Sequence, residues 1–472
     1  MVKDFLYNFS GRIGSVLIGF VRSIIVPRFL GPEMYGLLSL FGLFRIFLGF
    51  LDLGISNAYY HHMADLRVKK NANKNFQTET SKYFSAQVLV NVCGIILAII
   101  AAIFFYPKYE KQSAIYIIGI CSTIVSHCAL RLQSLARQQT IIEKRFKLIA
   151  AILLLESFAG SLFAMIGAIL YSIIGVLIFQ PVEHVVSCIA YLKKTGGVPS
   201  FKFDLMKSYR ILKNSFCYFY GSLSFVILRY SDSVLIVSLL NVESLGYYAL
   251  AQAINGNVKL FVHSIHDVLT PDATARIAKA EKVTDLVVDI ENQSRLLSGV
   301  YLFISANAFI LSSILIYLLP RFDDSIAVFK IIVISLTASY FTFYPSLLMR
   351  SKRIGKAAVY SNFSIISSII NVGVSYALII RGYDIIGVAI GTLSANIATT
   401  ILCFFYIHFF VLEKRLSLSY YASFVGPIAT LGTLFFYRSE PMWVLFITFY
   451  ITFLFLYHRS LKDCINLIRK RI

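Results

Sequence analysis

Seven charged residues interrupt stretches of sequence that are otherwise apolar. They are the cations Arg12, Arg22, Arg45, Arg229 and Lys259 and the acids Asp52 and Asp232. Each would cost about 2.5–3.5 kcal/mol if it faced lipid at the middle of a bilayer, so these side chains must line water or pair with one another. Guanidinium groups bind phosphate oxygens in pairs. We expect the five cations to bind an anionic ligand while the two acids hold them in place. Ion pairs between helices without a ligand are the alternative.

The spacing of these residues places them on single helical faces, because a helix advances by about 100° per residue. Four apolar stretches carry such a face, and the most polar one holds Gln252, Asn255, Lys259, His263 and His266. Subtracting 210 from the residue numbers of the later two stretches superposes their polar faces on those of the first two. We therefore expect all four faces to line one polar cavity between two halves of the protein, with a net positive charge.

Composition identifies the solvent of these helices. Of the 472 residues, 58% are hydrophobic and 14% are charged, against about 25% charged in a soluble domain. The mean hydropathy is +0.74. These values exclude a soluble globular protein, a disordered chain and a secreted disulfide scaffold. The seven cysteines are scattered without a CxxC pair, so we expect no disulfide, no metal and no cofactor.

Fourteen apolar runs approach or exceed the length of about 20 residues that crosses a bilayer. They are Phe5–Leu30, Gly36–His61, Phe84–Tyr106, Ala114–Leu130, Leu148–Leu170, Ile173–Leu192, Ser215–Leu239, Tyr247–Leu269, Leu296–Leu319, Ser325–Met349, Ala357–Ile380, Ile385–Leu412, Leu418–Phe436 and Met442–His458. With a cytoplasmic N-terminus, 32 of the 44 Lys and Arg residues fall in inside segments and five in outside turns. This alternation follows the positive-inside rule and predicts that both termini are cytoplasmic. Because topology accounts for the net charge of +20, no nucleic-acid partner is expected.

An internal repeat divides the chain. Residues 30–40 (LGPEMYGLLSL) and 240–250 (LNVESLGYYAL) match at four positions with a constant offset of 210. Six spans separate the two copies, so both cross the membrane in the same direction. The repeat predicts an all-α fold of two parallel six-helix bundles, 1–192 and 215–412, related by a pseudo-two-fold axis. A cytoplasmic linker, 193–214, joins them, and 413–472 adds two helices and a basic tail.

Three further ionisable residues, Glu156, Glu183 and His184, lie inside predicted spans. They are candidates for coupling to a proton or sodium ion, and a partnership with a cation on another helix is equally open. No G-x-x-x-x-G-K-[ST] loop occurs, so we expect no ATP binding of the P-loop kind. The predicted loops are too short to hold a soluble domain, which argues against an enzyme, and no catalytic residue is predicted.

The sequence resembles a known family at residues 29–41 (FLGPEMYGLLSLF) and 51–58 (LDLGISNA). The second half adds Asp232, Leu245-Gly246-Tyr247-Tyr248 and Pro271. Together these segments look like the polysaccharide-export flippases of the O-antigen (Wzx) type. That family belongs to the multidrug/oligosaccharidyl-lipid/polysaccharide (MOP) exporter superfamily. The related lipid II flippases carry essential arginines in spans 1, 2 and 8. Arg12, Arg22 and Arg45 match the arginines of spans 1 and 2, and Lys259 stands in span 8 in place of an arginine.

The resemblance implies a V-shaped transporter in the bacterial cytoplasmic membrane. It would move undecaprenyl-diphosphate-linked oligosaccharide from the cytoplasmic to the outer leaflet by alternating access. With this substrate, the anionic ligand expected for the five cations is the diphosphate. Its implied partners are this lipid-linked substrate, membrane lipids, and the polymerase and chain-length proteins of polysaccharide assembly. Two alternatives stay open. One is a multidrug (MATE-type) exporter of the same superfamily, whose usual cationic substrates a positive cavity would repel. The other is a membrane enzyme of polysaccharide assembly.

Overall fold

The structure is a computed structural model that describes residues 2–411 except 69–71, 106–112, 144, 202–203, 280–285, 341 and 351–355. Its helices are α1 (Val2–Phe50), α2 (Ile55–Val68), α3 (Ala72–Phe105), α4 (Ser113–Ile142), α5 (Phe146–Thr195), α6 (Leu205–Leu239), α7 (Val242–Lys279), α8 (Leu286–Leu318), α9 (Asp324–Tyr340), α10 (Phe343–Arg350), α11 (Ala357–Ile380) and α12 (Asp384–Phe410). The predicted all-α fold is confirmed for these residues. The last two predicted spans lie outside them.

Six of the described helical segments are long and apolar enough to cross a membrane, against fourteen predicted spans. They are Gly14–Phe50, Gln77–Phe104, Ser113–Ile142, Phe146–Thr195, Ala358–Ile380 and Asp384–Phe410. The protein is therefore a multi-pass membrane protein. Large apolar side chains on the outside of these helices agree with a lipid environment: Ile103 and Phe104 of α3 are 69% and 76% exposed, and Phe410 of α12 is 69% exposed.

Two of the long helices are broken within their length. A straight α5 of 50 residues would measure about 75 Å, more than twice the apolar thickness of a bilayer. Ser172, with φ 54°, interrupts it. The chain then folds back, so that Gly167 and Gly175 bring the two backbones together and the rings of Phe163 and Phe179 lie 5.5 Å apart. The segments 146–171 and 173–195 therefore form a hairpin, in the positions of the fifth and sixth predicted spans.

The breaks recur at a constant spacing. α1 breaks at Gly31, whose φ of 73° suits glycine, and the gap between α6 and α7 lies at Asn241, 210 residues later. The hairpin turn at Ser172 has its counterpart in Gly382, with φ 86°, between α11 and α12, again 210 residues later. The internal repeat predicted from one short motif thus extends to the last described hairpin.

The chain divides into two compact units, one formed by Lys3–Val226 and the other beginning at Ile227. In the first unit, α4 packs against α2, α3 and α5. In the second, α9 packs against α7, α8 and α12, and its residues Ile331, Ile332 and Val333 are all buried. A helix buried on all sides must be apolar on all sides, which accounts for this sequence.

The segment between α5 and α6 begins with Gly196 and Gly197, which end α5 with positive φ. Asp204 precedes α6, and its carboxylate accepts a hydrogen bond from the backbone N–H of Lys207 at 3.0 Å. The ammonium group of Lys207 lies 2.6 Å from the other carboxylate oxygen. Hydrogen bonding to Lys207 holds the pKa of Asp204 below its ordinary value.

Candidate functional site

The hairpin of α5 brings an acid against a cation of α1. Arg22 Nη1 donates a hydrogen bond to Glu183 Oε2 at 2.9 Å. The Glu183 side chain is 13% exposed and that of Arg22 is 30% exposed. Gly160, on the opposite arm of the hairpin, leaves room for the acid: a Cβ at Gly160 would lie only 2.7 Å from Glu183 Cβ. Of the two roles that the sequence left open for Glu183, this geometry matches a partnership with a cation on another helix.

His184 extends this pair into a cluster. Arg45 Nη1 lies 2.9 Å from His184 Nε2, and His184 Nδ1 lies 3.3 Å from Glu156 Oε1. Glu183 Oε1 is 3.2 Å from His184 Nε2. We call Arg22, Arg45, Glu156, Glu183 and His184 the charged cluster. Two guanidinium groups here face two carboxylates, so the acids beside Arg22 and Arg45 are ones that the predicted set of cavity charges did not include.

Asp52 has a partner that the sequence did not suggest. Arg131 Nη1, on α4, lies 3.0 Å from Asp52 Oδ1, and Arg131 Nη2 donates to the carbonyl of Gly49 at 2.5 Å. The same carboxylate accepts the backbone N–H of Ser56 at 3.2 Å, which stabilises the start of α2. The sequence placed Arg131 among the cytoplasmic loop cations. In the structure its side chain is only 16% exposed, because it bridges α4 to the end of α1.

Asp232, on α6, is surrounded by neutral donors. Its carboxylate is buried and accepts hydrogen bonds from Asn371 Nδ2 on α11 and Thr392 Oγ1 on α12, each at 2.6 Å, and from the hydroxyl of Tyr248 on α7. We call these four residues the Asp232 cluster. Gln252 Nε2 donates to the Tyr248 hydroxyl oxygen at 2.9 Å. Among the side chains that the structure describes, the hydrogen bonds to this acid come from neutral donors.

Close backbone contact between α11 and α12 positions two of these donors. A Cβ at Gly391 would lie 2.9 Å from the backbone oxygen and the side-chain oxygen of Asn371 and would also meet Ser375 Oγ. Only a residue without a side chain fits there. Gly391 therefore brings α12 near enough for Thr392 to reach the acid on α6.

The other predicted site residues fall into two groups. Asn255 is fully buried, and within the described part of the chain neither atom of its side-chain amide has a hydrogen-bond partner. Lys259, half-buried on α7, lies within electrostatic range of Asp232. The side chains of the remaining four lie outside the described residues: Arg12 on α1, Arg229 on α6, and His263 and His266 on α7.

Sequence reasoning missed Arg131, Tyr248, Asn371 and Thr392 as partners of the buried acids. A signal for the last two was present in the repeat. Asn371 stands 210 residues after Ser161, next to Gly160, and Thr392 stands 210 residues after Val182, next to Glu183. Extending the offset from the short motif to the hairpins would have indicated this contact region.

Comparison with known proteins now identifies the family. A sequence profile of the polysaccharide biosynthesis protein family matches residues 1–274. The chain belongs to this family. No curated protein gives a significant sequence match.

Two solved structures share the fold of this chain. The lipid II flippase MurJ, in an inward closed conformation, superposes with a TM-score of 0.70 at 15% identity, covering 96% of this chain and 99% of MurJ. An inward-facing MATE family multidrug resistance transporter of the MOP superfamily has a TM-score of 0.62 at 14% identity. That match covers 92% of this chain and 100% of the transporter. The predicted likeness to MurJ and MATE transporters is confirmed at the level of the fold.

The family match covers the whole charged cluster. It also includes Asp232 and Tyr248, whereas Asn371 and Thr392 lie beyond residue 274. The second half of the Asp232 cluster is therefore supplied by a part of the chain that only the structural comparisons reach.

Proposed function

We propose that this protein is a flippase for undecaprenyl-diphosphate-linked oligosaccharide, such as an O-antigen or capsule repeat unit. It would move this lipid from the cytoplasmic to the outer leaflet of the bacterial cytoplasmic membrane by alternating access. Family membership and a fold shared with a lipid II flippase support the proposal. The observation that carries it is the presence of Arg22 and Arg45 on α1, within the chain's membrane-spanning helices and beside the hairpin of α5.

Guanidinium groups suit this substrate because each presents a planar fork of donors to phosphate oxygens. Arg22 is 30% exposed in its side chain, so a phosphate can approach it without unfolding the helix pair. Arg12, Arg229 and Lys259 complete the proposed diphosphate site, with Gln252, Asn255, His263 and His266 as its polar neighbours. Moving the lipid across the membrane makes and breaks no covalent bond, so the proposed role is transport and not catalysis.

Ion coupling is the driving force that we propose, and the Asp232 cluster is its best-supported site. The Asp232 carboxylate and the hydroxyl oxygen atoms of Tyr248 and Thr392 meet there. The carbonyl of Val388 lies 3.3 Å from Thr392 Oγ1. Hard cations prefer such oxygen ligands, and membrane transporters coordinate coupling ions with acids and helix carbonyls near interrupted helices. If the hydroxyl groups rotate, their oxygen atoms would face a bound sodium ion. If the coupling ion is instead a proton, it would bind to the carboxylate of Asp232.

The test is translocation by the purified protein in vesicles, with a fluorescent undecaprenyl-diphosphate-linked oligosaccharide as substrate. Arg22→Ala and Arg45→Ala should each abolish translocation while the protein still inserts. Arg145→Ala is the matched control, because Arg145 forms an ion pair with Glu143 at 2.8 Å and is exposed between α4 and α5. Translocation at the unaltered rate in both cluster variants would overturn the proposed function.

The likeness to a multidrug MATE transporter supports a second candidate, export of cationic drugs. The same vesicles distinguish the two functions, since a flippase should not transport a fluorescent cationic dye. Dye export driven by a sodium or proton gradient, with no movement of the lipid-linked sugar, would favour the MATE function. Contacts with polymerase and chain-length proteins are proposed only for the flippase.

A further inference from the structure

One nitrogen atom in the charged cluster lies between a hydrogen-bond donor and a hydrogen-bond acceptor. His184 Nε2 is 2.9 Å from the Arg45 guanidinium, which can only donate a hydrogen bond, and 3.2 Å from Glu183 Oε1, which as a carboxylate can only accept one. A ring nitrogen either carries a hydrogen or offers a lone pair. His184 Nε2 can therefore satisfy Arg45 or Glu183, but not both at once.

Two hydrogen-bonding states follow. In the first, His184 is neutral, Nδ1–H points to Glu156, and Nε2 accepts from Arg45. In the second, His184 binds a proton at Nε2, which then donates to Glu183, and Arg45 loses this acceptor. The second state leaves the contact between α1 and α5 intact, because Arg22 binds the other oxygen, Oε2, of Glu183. The cluster can thus take up a proton without breaking the ion pair that joins the helices.

We propose that His184 binds a proton at Nε2, in place of the hydrogen bond that Nε2 accepts from Arg45. A proton and the diphosphate of the substrate would therefore bind together. This inference rests on the proposed function, since it assumes that Arg45 binds the diphosphate. When a phosphate oxygen becomes the acceptor for Arg45, Nε2 is released to bind a proton. When a proton binds first, Arg45 is directed to the phosphate.

The groups that face His184 are consistent with this exchange. Glu156 and Glu183 of α5 approach its two nitrogen atoms, and Arg45 approaches from α1. On α4, His127 lies within electrostatic range of both Arg45 and Arg131. Tyr191, about two helical turns further along the same arm of α5, lies within range of Glu156 and Arg137. The two carboxylates in direct contact with the ring stabilise an imidazolium, and Arg45 opposes it until an anion takes over its charge.

The linkage has a definite sign. If protonated His184 favours the diphosphate, affinity is highest at low pH and falls as pH rises, by up to tenfold per pH unit for a single linked proton. By reciprocity, binding of the diphosphate should take up as much as one proton per molecule bound. The measurement spans about pH 5.5–8, the range in which histidine side chains act as proton switches.

The experiment is calorimetric titration of the full-length protein in lipid nanodiscs. The probe is farnesyl-diphosphate-linked N-acetylglucosamine, a diphosphate diester that does not itself titrate in this range. Titrations in buffers of different ionisation enthalpy give the number of protons taken up. Wild type should take up protons and bind more weakly as pH rises. His184→Gln should bind with no proton uptake and no such pH dependence, since glutamine still accepts from Arg45. His408→Gln, on α12, is the matched control and should behave as wild type.

Two results would overturn the inference. One is binding of the probe by wild type without proton uptake, and the other is unchanged uptake in His184→Gln. Failure of the probe to bind at any pH would instead overturn the proposed function. The exchange at His184 is then tested without a ligand, by ¹⁵N spectra of histidine-labelled protein. Nε2 should lack a hydrogen in wild type and carry one in Arg45→Met, and an identical tautomer in the two proteins would disprove the exchange.

Discussion

The two halves of the repeat place opposite charges at equivalent positions. Arg22 in the first half and Asp232, 210 residues later, each lie on the helix before a break and each contact a helical hairpin. In the first half the hairpin supplies an acid, Glu183. In the second it supplies neutral donors, Asn371 and Thr392. The helix breaks recur at the same spacing in both halves, but the charges beside them do not.

This difference indicates a division of labour. A cation that is paired with an acid can exchange that acid for another anion, so the charged cluster suits a phosphate ligand. The described donors to Asp232 are neutral, so a cation could bind this acid without displacing a charged partner among them, and we propose the Asp232 cluster for the cation. We therefore expect substitutions in the first half to change substrate binding and stability together. Substitutions in the second half should change ion dependence with a smaller loss of stability.

The largest effect is expected from reversing the acid of the charged cluster. Glu183→Arg places a third guanidinium beside Arg22 and Arg45 and should cost at least about 3–5 kcal/mol of stability, so that little protein accumulates in the membrane. The double variant Arg22→Glu with Glu183→Arg should restore accumulation, because the pair is re-formed with its charges exchanged. Immunoblots of membrane fractions measure this. If the double variant accumulates no better than the single one, the ion pair does not hold α1 to α5.

A smaller effect is expected from adding a methyl group at the two glycines where helices pack closely. Gly160→Ala would displace Glu183, and Gly391→Ala would displace Asn371, each at a cost of about 1–3 kcal/mol from overpacking. Thermal unfolding in detergent should show both losses. Gly373→Ala is the control, since a Cβ there meets nothing within 4 Å. Transport assays should distinguish the two variants, because Gly160→Ala should weaken substrate binding and Gly391→Ala should alter ion dependence.

Neutralising the second-half acid should cost less still. Asp232→Asn keeps the shape but leaves one or more donors among Tyr248, Asn371 and Thr392 without an acceptor, at about 1–2 kcal/mol. Translocation should lose its dependence on the sodium or proton gradient, measured in vesicles with each gradient imposed in turn. Unchanged ion dependence with normal translocation would remove the assignment of a cation to this half.

The smallest effect tests whether the repeat extends to the hairpin turns. Ser172 adopts φ 54° where its counterpart Gly382 has φ 86°. Ser172→Gly should therefore raise stability by up to about 1 kcal/mol, and Gly382→Ala should lower it by a similar amount. Thermal unfolding of the two single variants measures both changes. A loss of stability in Ser172→Gly would show that the serine side chain contributes more than its backbone strain costs.

Much of this architecture is readable in the sequence. Apolar runs, the alternation of loop charge and the offset of 210 predict membrane-spanning helices and a duplicated arrangement, because lipid imposes length and polarity on each helix separately. The intramembrane charges Arg22, Arg45, Asp52 and Asp232 stand out for the same reason, since each must be stabilised by something. Their identity as site candidates therefore required no tertiary information.

The partners of those charges were decided only by the tertiary structure. Glu183 lies 161 residues from Arg22, and Asn371 lies 139 residues from Asp232. An ion pair and a hydrogen bond depend on distances of about 3 Å, which helix periodicity cannot predict for residues on different helices. Small residues such as Gly160 and Gly391 fix those distances by letting backbones approach. The sequence determined that these charges must be compensated. Packing determined that Arg22 meets an acid, whereas the hydrogen bonds that Asp232 accepts from the described side chains come from neutral donors.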